Sequence, residues 1–263
     1  MKIPKAIFVD IDGTLLSHTN RRVPKSAVEA LHYARDKGVR LFVATGRSKL
    51  ELGKIAHLDE IPFDGYVTMN GAFCYAGNEV VFKNPLRSET VAAVIERIAK
   101  NPFPCMFCEE NELYINVKNE YVQKLQESLS LPLPPVGDIY RALDNDIYLI
   151  AAFGITPEEA SFLHSLEHSK VTRWMEGGYD MVNGTVNKWE GISHMLSRFG
   201  IAPSEAAAIG DEQNDIEMLT NAGYSVAMGN AIDAVKECAD FVTAHVDDDG
   251  LAKAVEHLLA LGN

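Results

Sequence analysis

The sequence predicts an α/β protein: a core with a parallel sheet and helices on both faces, carrying an inserted α+β segment. Three observations predict it. Short apolar runs such as Ala6–Val9 and Val39–Ala44, the second broken only by Arg40, alternate with amphipathic stretches, as buried parallel strands joined by crossover helices require. The alternation breaks near residue 83, where strands begin to follow one another in close pairs. It resumes at 187 and runs to 260.

Ala6–Val9 is the first strand. An amphipathic helix over 25–37 is stopped by Gly38, and Val39–Ala44 is the second strand. A helix near 48–57 and a strand from Tyr66 to Met69, ending in Asn70-Gly71, come next. A hairpin-like pair at 72–76 and 79–82 turns at Gly77-Asn78. The inserted segment opens with a helix around 88–99, N-capped by Ser88, and strands at 104–109 and 112–117. A helix at 119–130, the proline-rich connector Leu131–Pro135 and a strand at 145–153 continue it. Thr156, Pro157 and Glu159 supply a cap, a first-turn proline and an acidic N3 for a helix over 157–167. Strands at 170–175 and 178–182, joined at Gly177-Gly178, close the order αββαβαββ. Hairpins mixed with crossovers point to an antiparallel or mixed sheet with helices on one face. Residues 1–82 and 183–263 are therefore expected to form one domain, and 83–182 a second one inserted into it.

Composition narrows the function. Hydrophobic content of 47% and charged content of 23% are ordinary for a globular protein. A net charge of −13 argues against nucleic acid as a partner. It does not argue against a small phosphorylated substrate, because a bound metal and a few cations invert the potential locally. No stretch is long enough to span a membrane, and Met1–Lys5 leads into the first strand without a signal-peptide pattern, so a cytoplasmic protein is expected. The sequence is compatible with a monomer and does not fix the oligomeric state. The four cysteines fit a reducing compartment; Cys105 and Cys108 share a strand, face opposite sides and read as packing residues. His164 and His168, four apart on a helix, lack the surrounding pattern of a metal site.

The chemistry is concentrated at strand ends. The run Phe8-Val9-Asp10-Ile11-Asp12-Gly13-Thr14-Leu15 puts two aspartates at the carboxyl end of a buried strand, where open α/β sheets bind ligands. Two carboxylates so close repel unless a cation or a proton lies between them. Three further fragments complete the set: Val43-Ala44-Thr45-Gly46-Arg47, Lys188, and Gly210-Asp211-Glu212-Gln213-Asn214-Asp215.

In order and type these four fragments resemble the motifs of the haloacid dehalogenase-like phosphatases, over essentially the whole chain. The αββαβαββ string is similar to the smaller form of that superfamily's type IIB, or Cof-type, cap. The resemblance implies a Rossmann-like core and a Mg²⁺-dependent phosphatase acting on a small phosphorylated metabolite, a hexose or pentose phosphate above others. Phosphoryl transfer asks for an in-line nucleophile, charge neutralisation and a proton for the leaving oxygen. Asp10 would be the nucleophile, forming an aspartyl phosphate, and Asp10 with Asp211 would offer hard oxygen ligands to Mg²⁺. The resemblance adds the backbone carbonyl of Asp12 as a third ligand and sets Asp215 behind them, orienting a ligand or a metal-bound water. The Asp12 side chain would protonate the departing alkoxide and then take a proton from the attacking water. Thr45 and the backbone N–H groups of Gly46 and Ile11 would hold phosphate oxygens. Lys188 would neutralise phosphate and nucleophile together, and Asn214 matches a phosphate contact of the family. Arg47 would bind substrate or cap the following helix. Glu212, where small residues are frequent, brings an extra anion towards the metal.

Other readings fare worse. The superfamily's dehalogenases lack the second aspartate and use no metal. A dinucleotide-binding fold would need GxGxxG after the first strand, and a P-loop enzyme GxxxxGK[ST]; both are missing. A sugar phosphomutase would share all four motifs, and a non-catalytic binding protein of this fold would typically have lost Asp10 or Asp211. In the inserted segment, Glu109, Glu110, Trp174, Glu176 and Tyr179 are candidates to choose the leaving group.

Overall fold

The computed structural model describes residues 3–17, 19, 21–129 and 134–262. The chain first forms β1 (Ala6–Val9), α1 (Lys25–Asp36), β2 (Arg40–Ala44), α2 (Lys49–Leu52), β3 (Gly65–Thr68), β4 (Phe73–Ala76) and β5 (Glu79–Lys83). Next come α3 (Ser88–Lys100), β6 (Cys105–Cys108), β7 (Leu113–Ile115), α4 (Glu120–Leu129), β8 (Leu149–Phe153), α5 (Pro157–Ser165), β9 (Ser169–Met175) and β10 (Gly178–Asn183). The last stretch holds α6 (Lys188–Phe199), β11 (Ala206–Gly210), α7 (Ile216–Asn221), β12 (Tyr224–Ala227), α8 (Asp233–Cys238), β13 (Phe241–Val242) and α9 (Gly250–Ala260). Two compact units result: Met1–Arg47, Ile55–Phe82 and Asn187–Asn263 make the first, Ser48–Lys54 and Lys83–Val186 the second.

The first unit is built on an eight-stranded sheet of order β13-β12-β11-β1-β2-β3-β4-β5. Six strands, β13 to β3 in that order, run parallel; β4 turns back antiparallel to β3. β1 lies at the centre, with Ala6 level with Ala206 of β11 on one side and Arg40 of β2 on the other. All four of its side chains are buried, as the unbroken apolar run requires. Flanking helices close the core, with Phe8 stacked on Phe42 at 4.7 Å and the edge of Phe199 from α6 on Phe42 at 5.1 Å.

The second unit carries a five-stranded sheet of order β7-β6-β8-β10-β9, antiparallel at every pairing. Val94 and Ile98 of α3 and Leu163 of α5 bury one face, against Phe107, Ile150 and Met181. Strand parity then puts Met106, Ala151 and Asp180, one residue along each strand, on the other face.

Several elements depart from expectation. The helix near 48–57 is only one turn, Lys49–Leu52, because Gly53 ends it and His57 turns left-handed at φ 67°. Ser88 is the first residue of α3 rather than its N-cap; Arg87 takes that place without a side-chain bond. The strand expected from residue 145 starts at Leu149, the polar Asp144–Asp146 stretch having followed a 3-10 turn at Ile139–Leu143. The part of the proline-rich connector at 131–133 lies outside the described residues.

Candidate active site

Asp10, Thr45 and Asp211 each stand one residue past a strand end, of β1, β2 and β11, which are neighbours in parallel register. Parallel pairing therefore delivers the three side chains to one edge of the sheet. Asp10 is 5% exposed, Thr45 1% and Asp211 2%. Lys188 opens α6 and is buried, its ammonium 2.6 Å from Asp10 Oδ1 and 2.5 Å from Asp215 Oδ1. Asp215 Oδ2 accepts the backbone N–H groups of Asp211 at 2.8 Å and Glu212 at 3.0 Å. Gly210 makes room for this: a Cβ there would lie 2.5 Å from the Asp215 Cγ. The Thr14 hydroxyl donates to Asp211 Oδ1 at 2.8 Å, and Asn230 Nδ2 approaches Oδ2 at 3.3 Å while donating to the Gly13 carbonyl at 2.8 Å.

Asp10, Asp211 and Asp215 offer carboxylate oxygens that all lie within 4.8 Å of one another, the one such acidic, histidine or cysteine cluster among the described residues. Three carboxylates and one ammonium leave two negative charges buried together. Burial, only partly countered by Lys188, pushes Asp10 up to about 7. Burial and the charges of Asp10 and Asp215 push Asp211 up to about 9. Burial works against the Lys188 charge, but the two aspartates outweigh it and raise the ammonium further. Once ionised, these hard oxygen donors carry two uncompensated charges and suit a divalent cation.

A pH dependence follows. Asp10 and Asp211 bind protons more tightly folded than at their ordinary value of 3.8. Their protonation favours the folded state, so that stability is present at low pH and lost as pH rises through about 7 and then about 9. In chelator, the melting temperature should be higher at pH 5 than at pH 8.5. A divalent cation should reverse the trend, with its largest gain at high pH. Thermal melts with and without chelator across this range test it, and a profile indifferent to both contradicts the cluster.

Asp12 points elsewhere. Arg47 grips its carboxylate with two bonds of 2.6 Å, from Nε and Nη2, and Arg21 Nη1 stands 3.9 Å away. Of the two roles open to Arg47 in the sequence, helix capping falls to Ser48, whose hydroxyl accepts the Glu51 N–H. The Ile11 carbonyl accepts Leu15 and Leu16 N–H groups, which turns the chain after β1. Thr45 Oγ1 accepts the Arg47 N–H at 3.2 Å across the half-buried Gly46. Asn214 Nδ2 donates to Asn70 Oδ1 at 2.9 Å. Glu212 is exposed, and its carboxylate is not a member of the cluster that its backbone helps to hold.

In the second unit, Glu109 and Tyr179 are committed to the fold. Glu109 continues the parity of Phe107, is buried and accepts from Arg141 Nε and Nη2 through both carboxylate oxygens, at 2.8 and 2.7 Å. Tyr179 packs on the helix-covered core and meets the edge of His164 at 6.1 Å. Trp174 is 39% exposed, with Phe153 against its edge at 6.2 Å. The Glu176 carbonyl accepts the Tyr121 hydroxyl at 2.6 Å, and Glu110 is half-buried.

The model of the haloacid dehalogenase-like hydrolase family matches residues 7–255. The chain belongs to the haloacid dehalogenase-like hydrolases. A solved sugar phosphatase of this superfamily's subclass IIB, BT4131, is 38% identical and superposes with a TM-score of 0.89, covering 96% of this chain and 98% of that one. A Bacillus subtilis (strain 168) relative with a provisional phosphatase name, YkrA, is 32% identical over 97% of both chains. The 5-amino-6-(5-phospho-D-ribitylamino)uracil phosphatase YbjI of Escherichia coli (strain K12) is 26% identical, over 97% of this chain and 96% of its own. As a haloacid dehalogenase-like hydrolase of this kind, the protein is a phosphoric monoester hydrolase. No helix among its described residues is long and apolar enough to cross a membrane.

Sequence reasoning passed over Asn70 and Asn230. Both follow a core strand at its carboxyl end, and that position was the available signal.

Proposed function

We propose that this haloacid dehalogenase-like hydrolase is a Mg²⁺-dependent phosphatase of hexose or pentose phosphates. The observation that carries the reading is the buried Asp10–Lys188–Asp215–Asp211 constellation, with Asp10 and Asp211 at the ends of the adjacent strands β1 and β11. Asp10 and Asp211 would hold Mg²⁺, with Asp215 orienting them and Asp12 adding its carbonyl as the resemblance implies. The ion would supply charge neutralisation between the Asp10 carboxylate and the anionic phosphate.

The chain's own residues account for the rest. Asp10 attacks phosphorus, the bond to the leaving oxygen breaks, and an aspartyl phosphate forms. Asp12 gives its proton to that oxygen, then takes one from the water that hydrolyses the intermediate. Arg47 occupies both Asp12 carboxyl oxygens, so substrate has to draw the guanidinium off before Asp12 can serve the leaving oxygen. Lys188 keeps Asp10 aimed and balances charge throughout. Thr45, Gly46, Ile11 and Asn214 take the phosphate oxygens. Sugar phosphates are favoured because BT4131 is a sugar phosphatase and YbjI acts on a phosphorylated ribityl compound, both polyhydroxylated. We assign the choice among sugars to a cap formed by the inserted segment.

A panel of phosphorylated metabolites assayed with Mg²⁺ tests the reading. Stoichiometric release of inorganic phosphate, fastest with hexose or pentose phosphates and abolished by chelator, is expected. Movement of the phosphoryl group within one sugar without release would put mutase chemistry in its place, and full activity in chelator would remove the metal.

A further inference from the structure

Between β3 and β4 the backbone does something costly. Met69, Asn70 and Gly71 all adopt left-handed conformations, with φ of 51°, 55° and 99°. Two consecutive non-glycine residues there are strongly disfavoured, and such strain persists only where the surroundings enforce it. Met69 is buried at 1% exposure, which anchors the turn from below.

The turn is tied to the strand-end fragments of the site. The Met69 N–H donates to the Arg47 carbonyl and the Asn70 N–H to the Thr45 carbonyl, both at 3.0 Å. Gly71 passes so close to α6 that a Cβ would lie 2.1 Å from the Asn187 carbonyl oxygen, one residue before Lys188. The Asn70 side chain, 6% exposed, accepts from Asn214 Nδ2 at 2.9 Å. It also lies flat against Gly46, where a Cβ would meet its Oδ1 at 3.3 Å. One turn thus touches the Thr45–Arg47 loop, the start of the Lys188 helix and Asn214.

We propose that Asn70 is a positioning residue of the phosphate site. Its backbone fixes the spacing of the Thr45–Arg47 loop, and its carboxamide oxygen holds Asn214 so that the remaining Nδ2 hydrogen is presented to a phosphoryl oxygen. Asparagine suits the place on two counts. It tolerates the left-handed region better than other side chains, and it accepts a hydrogen bond without adding a negative charge beside the phosphate. The inference rests on the phosphatase reading and specifies how that site is held.

The test uses Asn70→Gly, which fits the left-handed backbone and removes the side chain with its carboxamide, together with Asn214→Ala and the double variant. Binding of inorganic phosphate is measured by calorimetry in the presence of Mg²⁺, beside kcat and KM for p-nitrophenyl phosphate and the melting temperature. Asn70→Gly should keep the wild-type melting temperature yet bind phosphate about tenfold more weakly, the scale of one lost hydrogen bond to a charged group. The double variant should be no weaker than Asn214→Ala alone, since the two residues act as one unit. Wild-type phosphate affinity in Asn70→Gly, or additive losses in the double variant, overturns the proposal. Wild-type protein that neither binds phosphate nor hydrolyses the ester would bring down the phosphatase reading itself, and this inference with it.

Discussion

Asp10→Asn is expected to lose roughly a thousandfold or more in kcat, because an amide keeps the shape of the nucleophile without its attacking charge. The same change removes one of three carboxylates crowded around a single buried ammonium. In chelator, the variant should therefore melt at a higher temperature than wild type at pH 8. Loss of activity alone could come from damage to the fold; loss of activity with a gain in metal-free stability could not. Near-normal turnover would remove Asp10 from the mechanism, and a lower melting temperature would contradict the charge balance assigned to the cluster.

Lys188→Met should be the most destabilising single change at the site. The lysine side chain is wholly buried and bridges Asp10 and Asp215. Taking away one partner of a buried ion pair leaves charge with neither water nor a counter-ion, a loss of about 3–5 kcal/mol. Activity should fall with it. Lowering the pH should restore part of the stability, because protonation does for the carboxylates what the ammonium did. Lys188→Arg should rescue poorly: a planar guanidinium does not fit a space shaped around a compact ammonium. Denaturant titrations at pH 5 and pH 8 measure both effects. A variant as stable as wild type at pH 8 would show that the two aspartates do not depend on the lysine.

How much of this was legible follows from where each signal resides. Asp10, Thr45 and Asp211 are local signals, each a polar residue just after an apolar run, and strand pairing converts that into proximity. Lys188 carries no such local mark and was placed by resemblance. The partner of Asp12 was out of reach, since nothing in a sequence says that Arg47 turns back to its carboxylate rather than onward. Glu109 shows a different limit. Its parity with Phe107 was readable, but not which face of the sheet the helices cover, and that decides whether it meets solvent or Arg141. Asn70 hid for a third reason: Asn-Gly signals a turn in any protein, and only tertiary pairing makes this one part of the site.

The tight fit between Gly210 and Asp215 has a consequence for engineering. Glycine-to-alanine substitution is a routine way to raise thermal stability, since it narrows the unfolded ensemble where the backbone is compatible. At residue 210 the obstacle is clearance, with no φ in the left-handed range to rule alanine out. A single methyl group would act as a wedge, lifting the Asp215 carboxylate from the amides of Asp211 and Glu212 and from the Lys188 ammonium in one movement. Residue 210 is thus a set-screw for the whole centre, and stabilisation campaigns should treat it as closed to every side chain.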